Sequence, residues 1–181
     1  QNRKKLMNHL GGHLNITHTD RGVLEFLKEE LNSESLLDIG CGPAGQVKTA
    51  KDVGFNIVVG IDGDPAMKKE DVIIHDFCSG PYEFDREFDL GWSCEFVEHV
   101  EEQYIDNFMA CFANCKIIAL THATPGTPGY HHVNCQDASY WEAVFKKYGF
   151  ALDKSLTQKC KNKSTMRRDF FRKNGLVFKR I

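Results

Sequence analysis

The residues best suited to chemistry stand in one short segment, SCEFVEHVEE, and in a later pair of histidines. Glu95, Glu98 and His99 have the spacing i, i+3, i+4, and on a helix such side chains share a face with Cβ atoms roughly 5–6 Å apart. Two carboxylates and an imidazole in one cleft raise the carboxylate pKa values unless a cation lies between them. A fourth ligand is available in GYHH, residues 129–132. The pattern predicts a divalent-metal site or, without metal, a histidine general base.

A second chemical signal is the glycine-rich stretch LLDIGCGPAGQ, residues 36–46. Its glycines fit G-x-G-x-x-G, and Asp62 follows near the distance expected of a ribose-binding acid, so an NAD(P) oxidoreductase is one candidate. However, Asp38 stands two residues before the first glycine, where a negative charge is unfavourable beside a pyrophosphate and favourable beside an ammonium group. S-adenosylmethionine has an amino acid end, a sulfonium and one ribose, with no phosphate. The stretch therefore favours S-adenosylmethionine.

Alternating strands and helices must position these groups. Asp20 is predicted to cap a first helix, because a side-chain oxygen at this position accepts a hydrogen bond from the first turn. The predicted strands are 35–39, 56–61, 72–74, 88–92, 116–120, 150–159 and 176–179, and the later helices are 45–53, 95–113 and 138–148. Such alternation predicts an open α/β sheet of mostly parallel strands, with an antiparallel pair at the end. Ligands of such sheets bind beyond the carboxyl ends of the strands.

Length and composition predict one domain in a reducing compartment. The chain has 181 residues, 41% of them hydrophobic, which is enough for one core. We therefore expect a polar N-terminal arm over 1–19 and a single domain over 20–181. No apolar run is long enough to cross a bilayer, so we expect no membrane association. The cysteines are seven, an odd number, with no C-x-x-C pair; this favours free thiols and a cytoplasmic location.

The net charge of −2 conceals two oppositely charged regions. Residues 60–110 carry 14 acidic and 3 basic side chains, whereas residues 146–181 carry 12 basic and 2 acidic ones. A basic region of this kind can bind an anionic partner such as a phosphate or an RNA end.

Four separated motifs resemble those of class I S-adenosylmethionine-dependent methyltransferases. They are LDIGCGPAG, VVGIDGDP, IIHDF and FDLGWSCEFVEHV, in that order, and the resemblance extends over residues 20–181. It implies a Rossmann-like, seven-stranded, mostly parallel sheet with strand order 3-2-1-4-5-7-6. By position, it assigns donor binding to Asp38, Gly40, Cys41, Gly42, Gly45, Asp62, Gly63, Asp76, Phe77 and Ser93. Within that set Asp38 would hold the methionine end, Asp62 the ribose, and Asp76 with Phe77 the adenine.

The E-x-x-E-H segment is similar to the metal-site pattern of small-RNA 2′-O-methyltransferases and of ubiquinone-biosynthesis methyltransferases. In the RNA family a later histidine precedes an aromatic residue by nine positions, a spacing that His132 and Trp141 reproduce. The resemblance therefore implies the metal ligands Glu95, Glu98, His99 and His132, with His131 as a neighbour that touches substrate. The residues VNCQDASY lack that family's aromatic and arginine pattern. The resemblance therefore supports the fold and the metal site more strongly than it supports a specificity for RNA.

These observations predict a metal-assisted O-methyltransferase. Glu98, His99, His131 and His132 are its candidate catalytic residues. The expected acceptor is a hydroxyl in a vicinal diol of a sugar, nucleotide, RNA end or related small molecule, and the expected ion is Mg²⁺, Mn²⁺, Fe²⁺ or Zn²⁺. The alternative is a metal-independent small-molecule N- or O-methyltransferase with a histidine base. An NAD(P) oxidoreductase and a catalytically silent cofactor-binding subunit are less favoured, the former by Asp38 and the latter by the Glu/His cluster.

Overall fold

Short apolar segments of the chain form the strands of one sheet, and longer amphipathic segments form the helices that cover it. The computed structural model describes residues 9–181, so the first part of the predicted arm, residues 1–8, lies outside the described residues. The strands are β1 Ser35–Ile39, β2 Ile57–Asp62, β3 Val72–Ile74, β4 Phe88–Ser93, β5 Cys115–Leu120, β6 Phe150–Leu152 and β7 Leu176–Arg180. The α-helices are α1 Arg21–Leu31, α2 Gly45–Val53, α3 Ile105–Phe112, α4 Ala138–Lys147, α5 Lys154–Lys163 and α6 Phe170–Asn174.

The strand order β3-β2-β1-β4-β5-β7-β6 confirms the predicted topology. Strands β1 to β5 are parallel, while β7 runs antiparallel to both β5 and β6. The carboxyl ends of the parallel strands therefore meet at one edge of the sheet, where α/β proteins bind their ligands.

Two apolar clusters cover the two faces of the sheet. On one face α3 and α4 contribute aromatic side chains, and the Phe145 ring stacks on Phe178 of β7 with centroids 4.4 Å apart. On the other face α1, α2, α5 and α6 pack together, and Phe171 stacks on Trp92 of β4 at 5.6 Å. Both pairs are buried. Within residues 9–181, every helix is too short or too polar to cross a membrane.

Two predicted elements were wrong. The helix expected from residue 95 begins at Ile105, and residues 95–104 instead form two short 3₁₀ turns, Val97–His99 and Glu102–Tyr104. Glu95 has a left-handed backbone (φ 49°), which is incompatible with a continuing α-helix.

The second error is the strand predicted over 150–159. The strand ends at Leu152, because the Asp153 side chain accepts a hydrogen bond from the Leu156 N–H (2.8 Å) and starts α5. The predicted antiparallel pair, β6 and β7, is present, but helices α5 and α6 connect its strands in place of a hairpin turn.

Asp20 joins the start of α1 to the segment that follows α5. Its buried carboxylate accepts hydrogen bonds from the Val23 N–H (3.1 Å), the Thr165 N–H (3.0 Å) and the Ser164 hydroxyl. The predicted cap is therefore confirmed, and the same carboxylate also holds residues 145 positions away.

Replacing Asp20 with alanine is expected to lower the free energy of unfolding by about 3 kcal/mol, because the cap is lost and buried donors are left unsatisfied. Urea unfolding followed by circular dichroism measures the change. Asp52→Ala is the matched control, since Asp52 forms an exposed i, i+4 ion pair with Lys48, and it should leave the unfolding midpoint unchanged. A midpoint for Asp20→Ala equal to that of the control would refute this role.

Candidate active site

The glycine turn after β1 is tied to β2 by its own backbone. The N–H groups of Gly40 and Cys41 both donate to the Ile61 carbonyl, at 2.9 and 3.1 Å. Gly40 has a left-handed backbone (φ 75°), and a Cβ there would lie 2.4 Å from the Phe96 ring. The turn therefore requires glycine at this position for its backbone conformation and for its close contact.

Asp62, at the end of β2, organises the same turn. One carboxylate oxygen accepts from the Gly42 N–H (2.8 Å) and the other accepts from the Asp64 N–H (2.9 Å). Asp62, which is predicted to bind a ribose, therefore also fixes the glycine turn beside β2 through these hydrogen bonds.

Asp38, the predicted partner of the donor's ammonium group, is only 2% exposed and lines the cavity at this edge of the sheet. Burial raises its pKa well above the usual value, and the nearby Asp62 carboxylate raises it further. A cation bound beside Asp38 would reverse this shift, because an opposite charge favours the ionised form.

Residues 9–18, which we name the roof, lie across the glycine turn. His9 is hydrogen-bonded to the Asp76 carboxylate (2.7 Å), and His13 to the Asp64 carboxylate (2.9 Å). Both histidines line the cavity. His9 and Asp76 also lie near the Cys78 thiol, and these three could hold a metal ion.

The roof continues to the start of α2. Thr17 Oγ1 accepts a hydrogen bond from the Gly45 N–H (3.1 Å), and a Cβ on Gly45 would lie 2.8 Å from the Thr17 side chain. Near the other end of the roof, Leu10 packs against Gly63, where a Cβ would lie 2.6 Å from the leucine. Glycines at these positions leave room for the roof.

Between the roof and the strand ends is a cavity of about 370 Å³. Its lining includes eight of the ten predicted donor-binding residues, namely Asp38, Gly40, Cys41, Gly42, Asp62, Gly63, Asp76 and Phe77. The other two lie outside the lining. Gly45 begins α2, and the buried Ser93 donates its hydroxyl to the Ile39 carbonyl (2.9 Å).

Glu98, His99 and His132 come together beside this cavity. They offer ligand atoms that all lie within 4.8 Å of one another. Glu98 is completely buried, and within residues 9–181 neither of its carboxylate oxygens has a hydrogen-bond partner. The buried Nδ1 of His99 also lacks a partner among these residues. Buried polar atoms are normally hydrogen-bonded, so these three atoms in one cluster are available to bind a ligand.

The electrostatics of the cluster favour uncharged groups. Burial, and then the nearby Glu95 carboxylate, raise the pKa of Glu98 well above its usual value. The N–H groups of Glu98 and Ala123 lie close enough to offset this rise in part, but their geometry falls short of a hydrogen bond. Burial and the adjacent His132 lower the pKa of His99 to about 4, so its imidazole is neutral at physiological pH. A neutral imidazole is the form that binds a metal.

His132 is oriented by its neighbours. Its Nδ1 lies 2.8 Å from the Thr127 carbonyl oxygen, which can only accept, so Nδ1–H is the donor and Nε2 is left for a ligand. The loop at Gly129 leaves space for this ring, because a Cβ there would lie 2.3 Å from Nε2.

The structure places the other two predicted residues differently. The Glu95 carboxylate accepts a hydrogen bond from the Thr121 hydroxyl (2.9 Å), outside the three-residue cluster, and burial raises its pKa. His131 has a left-handed backbone (φ 48°), and its ring lies 6.2 Å from that of His9, at the roof. The single helix face expected for Glu95, Glu98 and His99 is absent from this segment, and tertiary contact forms the cluster instead.

Sequence reasoning missed the cavity residues that come from distant segments. Arg168 and Phe170, just before and at the start of α6, line the cavity together with His18 of the roof. The Arg168 guanidinium lies 4.9 Å from the centre of the Phe170 ring. The only available signal was the basic, aromatic character of RRDFF, which indicated an anionic partner without locating it.

Comparison with known proteins identifies a family that matches the same region of the chain. A family model described as a methyltransferase domain matches residues 37–116, which span β1 to the start of β5 and so contain the glycine turn and the Glu98–His99 segment. No curated protein matches the chain.

Solved structures share the fold at low sequence identity. The sugar N-methyltransferase KedS8 from Streptoalloteichus sp. ATCC 53650 aligns with a TM-score of 0.64 and 14% identity, over 87% of this chain and 85% of that one. Magnesium protoporphyrin IX methyltransferase from Synechocystis PCC 6803, with bound S-adenosylhomocysteine, gives 0.59 and 13%, over 86% and 78%. The methyltransferase domain of a bacterial protein, CtHen1, gives 0.56 and 13%, over 89% and 97%.

The fold, the cavity and the family match concern the same half of the chain. The sheet order is the one that the resemblance implied, the predicted donor residues line one cavity, and the family match covers that region. The chain therefore has the fold of class I S-adenosylmethionine-dependent methyltransferases, and its residues 37–116 match a methyltransferase domain.

Proposed function

We propose that the chain methylates a hydroxyl group with the help of a divalent metal ion. The observation that carries this proposal is the pair of orphaned, fully buried carboxylate oxygens on Glu98, beside the orphaned Nδ1 of His99. An unpaired buried carboxylate is costly, and a cation supplies the missing partner.

The residues present fit such an ion. Glu98, His99 and His132 would hold it, whereas Glu95, the fourth ligand predicted from the sequence, lies outside this cluster. Mixed oxygen and nitrogen donors suit Mg²⁺, Mn²⁺, Fe²⁺ or Zn²⁺. When bound, the ion would supply Lewis-acid stabilisation of the developing alkoxide and a template for a vicinal diol.

The chain's own residues would position the reactants for in-line displacement on the sulfonium methyl group. The ammonium end of the donor would lie at Asp38, the ribose at Asp62 and the adenine at Asp76. The roof would exclude water from the methyl group, and closure of this kind strengthens polar interactions inside. Because His132 Nδ1 is bonded to Thr127, its Nε2 would serve as the proton acceptor or ligand.

We propose an acceptor with a vicinal diol, on a sugar, a nucleotide, an RNA end or a related small molecule. The similarity in fold to a sugar N-methyltransferase supports a saccharide-sized acceptor. The balance of 12 basic to 2 acidic residues over 146–181 supports an anionic one, including RNA.

The test is methyl transfer to a panel of ribonucleosides, their 2′-deoxy and 3′-deoxy analogues, simple sugars and short RNA. We expect activity with diol-containing acceptors, loss after treatment with EDTA, and recovery with one added divalent ion. The same ion should stabilise the acceptor-free protein by about 2.7 kcal/mol when its concentration is 100 times its Kd. The melting temperature should rise accordingly. Unchanged turnover in saturating chelator would exclude the metal.

The alternative is a metal-independent N- or O-methyltransferase in which a histidine acts as base. It is favoured by one observation: the pKa of His99 is lowered to about 4, and a neutral ring can accept a proton. In that case turnover would survive EDTA and fall on replacement of His99 or His132 by glutamine.

We also propose that residues 20–181 act as one methyltransferase domain, covered by the roof (residues 9–18), in a cytoplasmic setting. All seven cysteines are free thiols, and burial raises the pKa of those in the core, as for Cys160 to about 12. Such thiols are unreactive in a reducing compartment.

A further inference from the structure

We propose that Arg168 binds the carboxylate of the donor's methionine moiety. This inference extends donor binding beyond the glycine turn to a residue that the family match does not cover. It does not depend on a metal ion or on the identity of the acceptor.

The course of the roof shows which end of the cavity Arg168 occupies. His9 contacts Asp76, at the predicted adenine end, whereas Thr17 contacts Gly45, at the start of α2. The next residue, His18, lies edge-on to the Phe170 ring, with centroids 5.0 Å apart. Arg168 is therefore at the end of the cavity opposite to the adenine site, where the amino acid part of the donor must lie.

The charges in the cavity point to the same role. Four carboxylates line it, those of Asp38, Asp62, Asp76 and Glu95. They match the ammonium and hydroxyl groups of the donor but repel its own carboxylate. Among the described residues Arg168 is the only Lys or Arg in the lining, so it is the one permanent cation there that can pair with an anion.

Arg168 is exposed at the edge of the cavity, but its side chain is oriented by an aromatic neighbour. Its guanidinium lies over the Phe170 ring at 4.9 Å, and the adjacent Phe171 is fixed against Trp92 in the core. A stacked guanidinium keeps its planar fork of N–H donors free, and that fork fits a carboxylate with two parallel hydrogen bonds.

His18 completes this end of the cavity as an uncharged neighbour. Burial lowers its pKa, and the positive charge of Arg168 lowers it further, so the ring stays neutral near pH 7. The positive charge offered to the donor carboxylate thus comes from Arg168 and not from the roof.

The experiment compares two ligands by isothermal titration calorimetry: S-adenosylmethionine and its decarboxylated analogue, which keeps the ammonium and the sulfonium. Arg168→Gln should weaken S-adenosylmethionine binding about tenfold, the lower end for a charged hydrogen bond because the site is exposed. The same variant should bind the decarboxylated analogue as tightly as the wild type does. Arg168→Lys keeps the positive charge but loses the planar set of N–H donors. Its affinity for S-adenosylmethionine should lie between those of the wild type and Arg168→Gln.

Arg167→Gln is the matched control, because Arg167 is the exposed neighbour that does not line the cavity; it should bind both ligands normally. Equal weakening of both ligands by Arg168→Gln, or unchanged S-adenosylmethionine binding, would overturn the inference. Neither metal nor acceptor is present in this assay. A negative result here therefore leaves the metal proposal intact, and failure of the chelator experiment leaves this one intact.

Discussion

Glu98→Gln is expected to lower kcat about 1000-fold while S-adenosylmethionine affinity stays within about threefold. The amide removes the buried negative charge of the proposed metal site but keeps the shape of the side chain. Metal assistance is worth several kcal/mol in the transition state, and each 1.36 kcal/mol is a factor of ten in rate. Single-turnover methyl transfer at saturating donor measures the effect, and calorimetry measures donor affinity.

The fold of this variant can be checked by its stability without metal. Because the pKa of Glu98 is raised in the folded protein, the folded form binds more protons than the unfolded form. Wild-type stability without metal must therefore decrease as the pH rises from about 4.5 towards the raised value. The Glu98→Gln variant has no carboxyl group to ionise, so its stability does not decrease in this way. It should be at least as stable as the wild type at pH 8.

Glu102→Gln is the matched control for activity, since Glu102 is an exposed carboxylate on the neighbouring 3₁₀ turn. It should retain full turnover. A stable Glu98→Gln protein with wild-type kcat would contradict metal-assisted catalysis.

The affinity for S-adenosylmethionine is expected to rise with pH and then to level off. Burial and Asp62 raise the pKa of Asp38 in the free protein, so part of the Asp38 population is protonated below that raised value. The donor's ammonium group favours the ionised carboxylate, and binding must therefore release a proton in this range. Well below the raised pKa, the affinity should fall about tenfold per pH unit.

Calorimetry in two buffers of different ionisation enthalpy measures the released proton directly. Asp38→Asn should bind the donor at least tenfold more weakly near pH 8, because an amide cannot balance the ammonium charge. It should also show a flat pH dependence. Asp71→Asn, which changes an exposed carboxylate in an ion pair with Lys51, should behave as the wild type. A wild-type affinity that is constant between pH 5 and pH 8 would contradict this role of Asp38.

Local signals in the sequence were sufficient for the donor-binding half of the fold. Apolar runs marked β1 and β3 at their observed bounds, and the glycine spacing marked the turn and the start of α2 at Gly45. Glycines with left-handed backbone and a capping aspartate such as Asp20 act through their immediate neighbours. Patterns of this kind can be read from a few consecutive residues.

The same reasoning failed where distant contacts outweigh local preference. The segment SCEFVEHVEE has helical spacing, yet Glu95 donates its N–H to the Thr121 hydroxyl (2.9 Å) and adopts a left-handed backbone. That contact joins the segment after β4 to the segment after β5, 26 positions away. A helical spacing pattern cannot indicate such a contact. The strand predicted over 150–159 failed for a related reason, since the Asp153 cap converts its second half to helix.

The sequence by itself determined the bounds of β1 and β3, the glycine turn, the acids near the ends of β1, β2 and β3, and the residue types of the Glu/His cluster. Only the tertiary structure decided that Glu98 and His99 meet His132, that residues 9–18 cover the cavity, and that Arg168 lines it. The first group depends on backbone conformation and apolar burial, which a short segment encodes. The second depends on contacts between segments far apart in the chain, whose geometry exists only once the sheet and its helices have packed.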